Sequence, residues 1–237
     1  MRRVAACFTV LLLPRSAPAE WVVTGYLGAA HTAQTSLQFQ VPDESTNLTL
    51  HPIAYADKPC TPAIYYGYRL GYFFSRRFGF EGELTHLKVY ADTNRLAQIS
   101  GVLYGMPVNE TALVSSVVEQ FNITHGVNLL TGNFVARKAL GPETTARVVL
   151  EARVGAGATI PHPINVVLGE PNVQGYQIGS LAVQAAGGVE IRLWRGLYAI
   201  TEAKYTRTNE TVNIFHGTAA TLLNSAHLIG GLAVHFR

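Results

Sequence analysis

The sequence predicts an all-β chain that closes into an eight-stranded antiparallel up-and-down transmembrane β-barrel. Three observations carry this: a composition 48% hydrophobic but only 14% charged, eight stretches of alternating polarity, and connections that switch regularly between short and long. A soluble domain is nearer a quarter charged. Beyond the N-terminus no stretch stays apolar over the roughly twenty residues that a membrane helix needs. Only helices and closed barrels satisfy every backbone polar group in lipid, so an apolar chain without such helices points to a barrel.

The chain opens on Arg2 and Arg3, an apolar run from Val4 to Leu13, and Ala17-Pro18-Ala19. That is the layout of a secretory signal peptide, and the run is too short to be a membrane anchor. The expected organisation is therefore a cleaved leader over residues 1–19 and one barrel domain over 20–237. Cys7 lies inside the leader, too early for a lipid-bearing first residue. Cys60 is then the only cysteine of the mature chain, which rules out an internal disulfide. The net charge of +3 is small and its basic residues are dispersed, so no nucleic-acid partner is expected.

Period-two alternation marks strands near 21–32, 64–74, 78–90, 120–137, 147–160, 175–193, 197–208 and 222–236. Their connections are long at 33–63, 91–119 and 161–174, short at 75–77 and 194–196, and moderate at 138–146 and 209–221. Short periplasmic turns and longer outer loops give this parity when Trp21 starts at the periplasm. In the fifth strand Leu150, Ala152, Val154 and Ala156 share one face, opposite Glu151 and Arg153. The apolar face is expected toward lipid and the charged face inward. Trp21, Phe74, Phe78, Trp194 and Phe236 then fall together at the periplasmic boundary, as an aromatic girdle should. The rival, a soluble lipocalin-like barrel, would reverse the faces and expose mostly Gly, Ala and Gln.

The inward set comprises Arg69, Glu81, Glu83, Glu151, Arg153, Glu190, Arg192, Glu202 and Lys204, with His227 beside them. Glu81 and Glu83 are a conceivable acid-base pair, but an eight-stranded barrel has room only for side chains, and opposite charges there read as a neutral plug. For the same reason no diffusion pore is expected. A second set extends the apolar faces toward the outer rim: His86 and Lys88 on the third strand, His125 on the fourth, His162 after the fifth. These are expected to point outward at the level of lipopolysaccharide headgroups. They read first as polar anchors for phosphate, and otherwise as a metal or acid-base site acting on lipid A.

Several segments resemble the OmpA-like outer-membrane barrels and, within them, the lipid A oxidase-like group. They are Trp21 to Gly28, Tyr65-Tyr66-Gly67-Tyr68-Arg69-Leu70-Gly71-Tyr72, Gly79 through Thr85-His86-Leu87-Lys88 to Asp92, Thr124-His125-Gly126-Val127-Asn128, Pro161-His162, Tyr176-Gln177 and Glu202-Ala203-Lys204-Tyr205. The resemblance implies residence in the bacterial outer membrane, with lipids and lipopolysaccharide around the barrel and the insertion machinery as a partner during biogenesis. The narrower resemblance implies oxidation of the proximal glucosamine of lipid A, with no catalytic residue to carry over. Lipid A deacylases place His-x-Ser on one strand. Here Ser225 precedes His227 in reverse order, and both are expected inward. The chain ends at Phe236-Arg237, so no peptidoglycan-binding domain is expected to follow, and the barrel is expected to be a monomer. A structural or surface-interaction role without a cofactor is the favoured expectation. The alternative is a lipid A-modifying enzyme with a divalent metal. The Asn-x-Ser/Thr matches at Asn47, Asn109, Asn122 and Asn209 carry no weight in a bacterial chain.

Overall fold

The computed structural model describes residues 19–142, 146–173 and 175–236. The expected leader, Ala19 apart, and Arg237 lie outside the described residues. In chain order the strands are β1 (Glu20–Thr32), β2 (Thr35–Val41), β3 (Thr46–Ile53), β4 (Tyr55–Ala56), β5 (Tyr66–Phe73), β6 (Phe78–His86), β7 (Val89–Ala91), β8 (Leu96–Leu103) and β9 (Met106–Leu113). They continue with β10 (Val118–Ile123), β11 (Leu129–Leu140), β12 (Val148–Thr159), β13 (Ile164–Val167), β14 (Glu170–Val173), β15 (Leu181–Trp194), β16 (Leu197–Ile214) and β17 (Gly217–Phe236).

Eight of these form a closed antiparallel barrel in the order β1-β5-β6-β11-β12-β15-β16-β17, sealed by pairing of β1 with β17. From His31 the cross-strand partners run through Ala226, Tyr205, Ala185, Val154, Phe134, Phe80 and Tyr72, and return to β1 at Trp21. One circuit thus shifts the register from position 31 to position 21. Ten residues of stagger over eight strands correspond to a strand tilt of about 40°.

The outward face follows the expected alternation. Trp21, Val23 and Leu27 on β1, Tyr68, Leu70 and Tyr72 on β5, and Leu232, Val234 and Phe236 on β17 are all exposed on the outer wall. The five expected girdle aromatics lie exposed at one end, where Trp21 packs on Tyr72 at 5.0 Å and Phe78 on Phe134 at 5.7 Å between ring centres. No described helix is long and apolar enough to cross a membrane.

The inward face of β16 shows how the interior is layered. From the girdle end it presents Tyr198 and Ile200, then Glu202 and Lys204, then Thr206, Thr208 and Glu210, and last Val212 and Ile214, all buried. The barrel is thus closed by apolar side chains below, filled by charges at mid-height and by hydroxyls above. The return to Val212 and Ile214 marks a second hydrophobic core beyond the barrel.

That second core departs from the expected loops. The segments at 33–63 and 91–119 are largely strands, because their own alternation (Leu37, Phe39, Val41; Leu48, Leu50; Ala97, Ile99) supplies a buried face. Strands β2, β3, β8 and β9 extend the barrel sheet outward from the far part of β17. A separate sheet, β14-β13-β10-β7-β4, packs against that extension over Phe39, Leu50, Val89, Phe121 and Ile123. The mouth is capped by this small β-sandwich.

Other boundaries change for local reasons. The third barrel strand ends at His86, short of Tyr90, since Val89–Ala91 pairs with β4 and β10 in the cap. The fourth begins at Leu129 and not at Gln120, because Gly126 and Asn128 take positive φ and turn the chain. The sixth begins at Leu181. The connection expected at 209–221 is a hairpin in which β16 and β17 stay paired to Ile214 and Gly217.

Candidate functional site

The mid-barrel set converges on one network. Arg69 forks onto Glu202, with Nη2 to Oε1 at 2.5 Å and Nη1 to Oε2 at 3.2 Å, while its Nε donates to Glu83 at 2.9 Å. Glu83 also accepts from the Tyr26 hydroxyl at 2.6 Å, from Lys204 at 2.9 Å and from Gln184 at 2.5 Å. Arg153 bonds Glu202 and, at 2.6 Å, Glu151, and its Nε lies 3.5 Å from Glu81. Asn133 donates to both Glu81 and Glu83 at 3.0 Å. Glu190 lies nearer the girdle, 3.2 Å from His235, whose other ring nitrogen faces Glu20 at 3.3 Å. Arg192 is half-buried at that end.

Each carboxylate in this plug faces a cation or several donors, which is what burial of charge demands. Glu81 and Glu83 are both buried and tied to Asn133, so the pair helps to hold the wall together. His227 and Ser225 point inward as expected. His227 sits between the Tyr65 hydroxyl at 2.9 Å and Thr206 at 2.8 Å, and Ser225 bonds Thr32 at 2.7 Å.

The rim set meets at a turn, not on strand faces. Residues 124–128 leave the cap sheet and enter β11, with Val127 N–H bonded to the Leu87 carbonyl at 2.6 Å. Asn128 holds the turn: its Nδ2 donates to the carbonyls of His125, Gly126 and Ile160 at 3.0 to 3.2 Å. With the amide so oriented, its Oδ1 accepts from His86 Nδ1 at 2.8 Å, which fixes the proton on that ring nitrogen. His86 Nε2 is therefore the lone-pair nitrogen, and it has no hydrogen-bond partner among the described residues.

Two of the expected outward positions are corrected here. His86 is only 4% exposed, stacked on Tyr66 at 4.8 Å and covered by the turn. Lys88 is 2% exposed and donates to the Thr61 carbonyl at 2.7 Å. Lys88 lies past the last barrel residue, where the third strand's parity no longer holds; His86 is that last residue, paired with Tyr66, and is buried because the turn at 124–128 covers it. His125 is exposed and His162 half-buried; their rings stack at 4.3 Å, and His162 packs on Tyr176 at 4.9 Å.

Among the described residues no three His, Cys, Asp or Glu side chains are arranged to hold a metal ion. What the rim offers is a patch of stacked rings at His125, His162 and Tyr176, and a pair of lysines around Tyr90. There Lys58 and Lys88 lie 4.3 and 5.6 Å from the Tyr90 ring centre. Burial strips water from the Lys88 ammonium and Lys58 adds a like charge, so its pKa falls below the ordinary lysine range. The sequence names Asn128, Tyr66 and Tyr90 only as members of strand faces or family-like segments and assigns them no role in the site. The Gly126-x-Asn128 pair, two residue types that tolerate positive φ, was the available signal for a turn.

No family model matches the chain, and no curated protein matches it in sequence. Solved structures do. The outer membrane protein OprG of Pseudomonas aeruginosa aligns over 92% of this chain and 96% of its own, with 9% identity and a TM-score of 0.55. Neisserial surface protein A aligns over 93% and 100%, with 11% identity and a TM-score of 0.42. At such identity the likeness to OprG is one of fold, and it agrees with the closed eight-stranded antiparallel barrel traced above.

Proposed function

We propose that this chain is a bacterial outer-membrane barrel with a structural or surface-interaction role, its girdle end in the periplasm and its capped end outside. One observation carries the reading. The outward wall is apolar from Trp21 to His31, ten residues apart on β1, and at a tilt of about 40° that spans about 25 Å, the height of an outer-membrane apolar band. The rest follows from the interior: a hydrogen-bonded plug leaves no channel, and the cap replaces flexible loops by a rigid surface. Outer-membrane lipids, lipopolysaccharide and the insertion machinery are the partners this placement brings, and the closed wall suits a monomer.

The test is fractionation of a Gram-negative host expressing the chain with its leader. Recovery in the outer membrane, with the heat-modifiable gel mobility of a barrel, is the expected result. Recovery as a soluble periplasmic protein would sink the proposal. Lipid A oxidation gains no support from the rim, since His86 and Lys88 are covered and the exposed rings stack without converging on a point. Mass spectrometry of lipid A from the same cells separates the two readings, because the enzyme adds one oxygen and the barrel alone adds none.

A further inference from the structure

Above the apolar band the barrel wall continues outward as the outer face of β16, β17, β2, β3, β8 and β9. Its chemistry changes abruptly. On β16 the outward positions pass from Tyr205 through Arg207 to Asn209, Thr211 and Asn213. Arg207 is the last charged residue on this face: no outward position of the six strands above it is Asp, Glu, Lys or Arg.

Cross-strand register sets amides and hydroxyls side by side over most of the face, with apolar residues toward its β8 and β9 edge. One row runs Thr211, Ala220, Gln38, Thr49, Ser100 and Asn109. The row beyond runs Asn213, Thr218, Gln40 and Asn47 and ends on the apolar Val102 and Pro107. The row nearer the membrane includes His51, Gln98 and Thr111. The amides are held in place: Gln98 Nε2 donates to Asn109 at 2.8 Å while its Oε1 accepts from Thr111 at 3.0 Å. Tyr205, at the base, donates to Asn224 at 2.9 Å and keeps its ring at the surface.

An ordinary solvent-facing sheet carries about a quarter to a third charged residues, which keep it soluble and unpaired. This face has none, yet apart from Ala220, Leu222 and the apolar Leu96, Val102, Pro107 and Leu113 on β8 and β9, its side chains both give and take hydrogen bonds. A neutral polyhydroxyl chain has the same property and the same lack of charge. The face also stands directly above the membrane-embedded wall, on the same side of the same sheet, where the sugars of surface polysaccharide are rooted. We infer that this face is a binding surface for neutral polysaccharide, laid along the strands by side-chain amide and hydroxyl hydrogen bonds. The inference rests on the outer-membrane reading for its location but not for its chemistry.

The experiment uses the full chain in detergent micelles, its fold checked by heat-modifiable mobility. The probe is the neutral polysaccharide released by mild acid from a smooth lipopolysaccharide. Affinity electrophoresis is expected to show saturable retardation, unchanged between about 50 and about 500 mM salt because no charges pair. The triple variant Gln38→Ala, Thr49→Ala, Gln98→Ala, of which Gln38 and Gln98 are exposed and Thr49 half-buried on the outer face, is expected to weaken it at least ~tenfold while the barrel stays folded. No retardation of the native chain, retardation that salt abolishes, or a triple variant that binds as well as native would each overturn the inference. So would binding to lipid A but not to the released polysaccharide, or a concentration-dependent dimer that the same substitutions dissolve. A chain that binds polysaccharide yet fractionates away from the outer membrane would uphold the surface and remove the membrane reading instead.

Discussion

His31 stands ten residues above Trp21 on the outward face of β1, and the barrel's register carries one onto the other in a single circuit. This one offset sets tilt, wall height and the two levels at which the outer surface changes character.

Cysteine labelling checks those levels. In a Cys60→Ser background, His31→Cys on whole cells is expected to react with a membrane-impermeant maleimide, and Leu27→Cys is not. Leu27→Arg should destabilise the barrel by about 2–4 kcal/mol, the depth-dependent cost of a charge on the lipid face. Equal labelling at positions 27 and 31 would mean that the band is not in lipid.

Arg69 is the cation shared by Glu83 and Glu202. Arg69→Met leaves both carboxylates buried with fewer partners, and urea unfolding in vesicles, followed by tryptophan fluorescence, is expected to show a loss of about 3–5 kcal/mol. A loss under about 1 kcal/mol would show that the remaining donors suffice.

Phe39 is 1% exposed in the cap. Phe39→Ala should cost about 3–5 kcal/mol, and the cost should fall on the cap alone. Proteolysis within residues 35–56 and 89–123 is expected to speed up while heat-modifiable mobility is retained. Joint loss of both would make barrel and cap one cooperative unit.

Gly126 has φ +96 and faces His86 Nδ1 and Asn128 Oδ1 so closely that an added Cβ overlaps both. Gly126→Ala is expected to break the His86 to Asn128 bond and separate the His125 and His162 rings. NMR of the imidazole protons reads this directly, and the strain is of order 1–3 kcal/mol.

Lys88 gives a pH dependence. Its pKa in the folded chain is below the ordinary 10.5, so between the two values the unfolded chain binds more protons. Stability of the cap therefore rises with pH through that window, and the burden is full below it. Protease resistance of residues 54–63 is expected to increase as pH rises toward 10.5, and Lys88→Met should flatten the curve. A native profile that falls over this range would contradict the assignment.

The wall was legible in the sequence because a strand in a barrel has a strict two-residue repeat and two unlike solvents. Leu150 against Glu151, or Leu70 against Arg69, reads correctly without any tertiary knowledge. The inward network was legible as membership, though not as pairing, since Arg69 meets Glu202 across 133 positions of chain. The cap was not legible. Its register joins β3 to β8 over long separations, and loop-length parity explained the same residues as loops. Lys88 was not legible because alternation reports a face only while the strand lasts, and the burial of His86 was not because alternation is silent on the turn that covers it.

The hairpin of β16 and β17 runs unbroken from the girdle to the far end of the cap, paired from Leu197 with Val234 to Ile214 with Gly217. No hinge separates what is anchored from what is presented. A tug on the outer surface would load this ladder along its length, in shear, with many hydrogen bonds resisting together instead of opening one by one. The chain is built as a stiff mast, and a grip at its tip is transmitted undiminished to its footing.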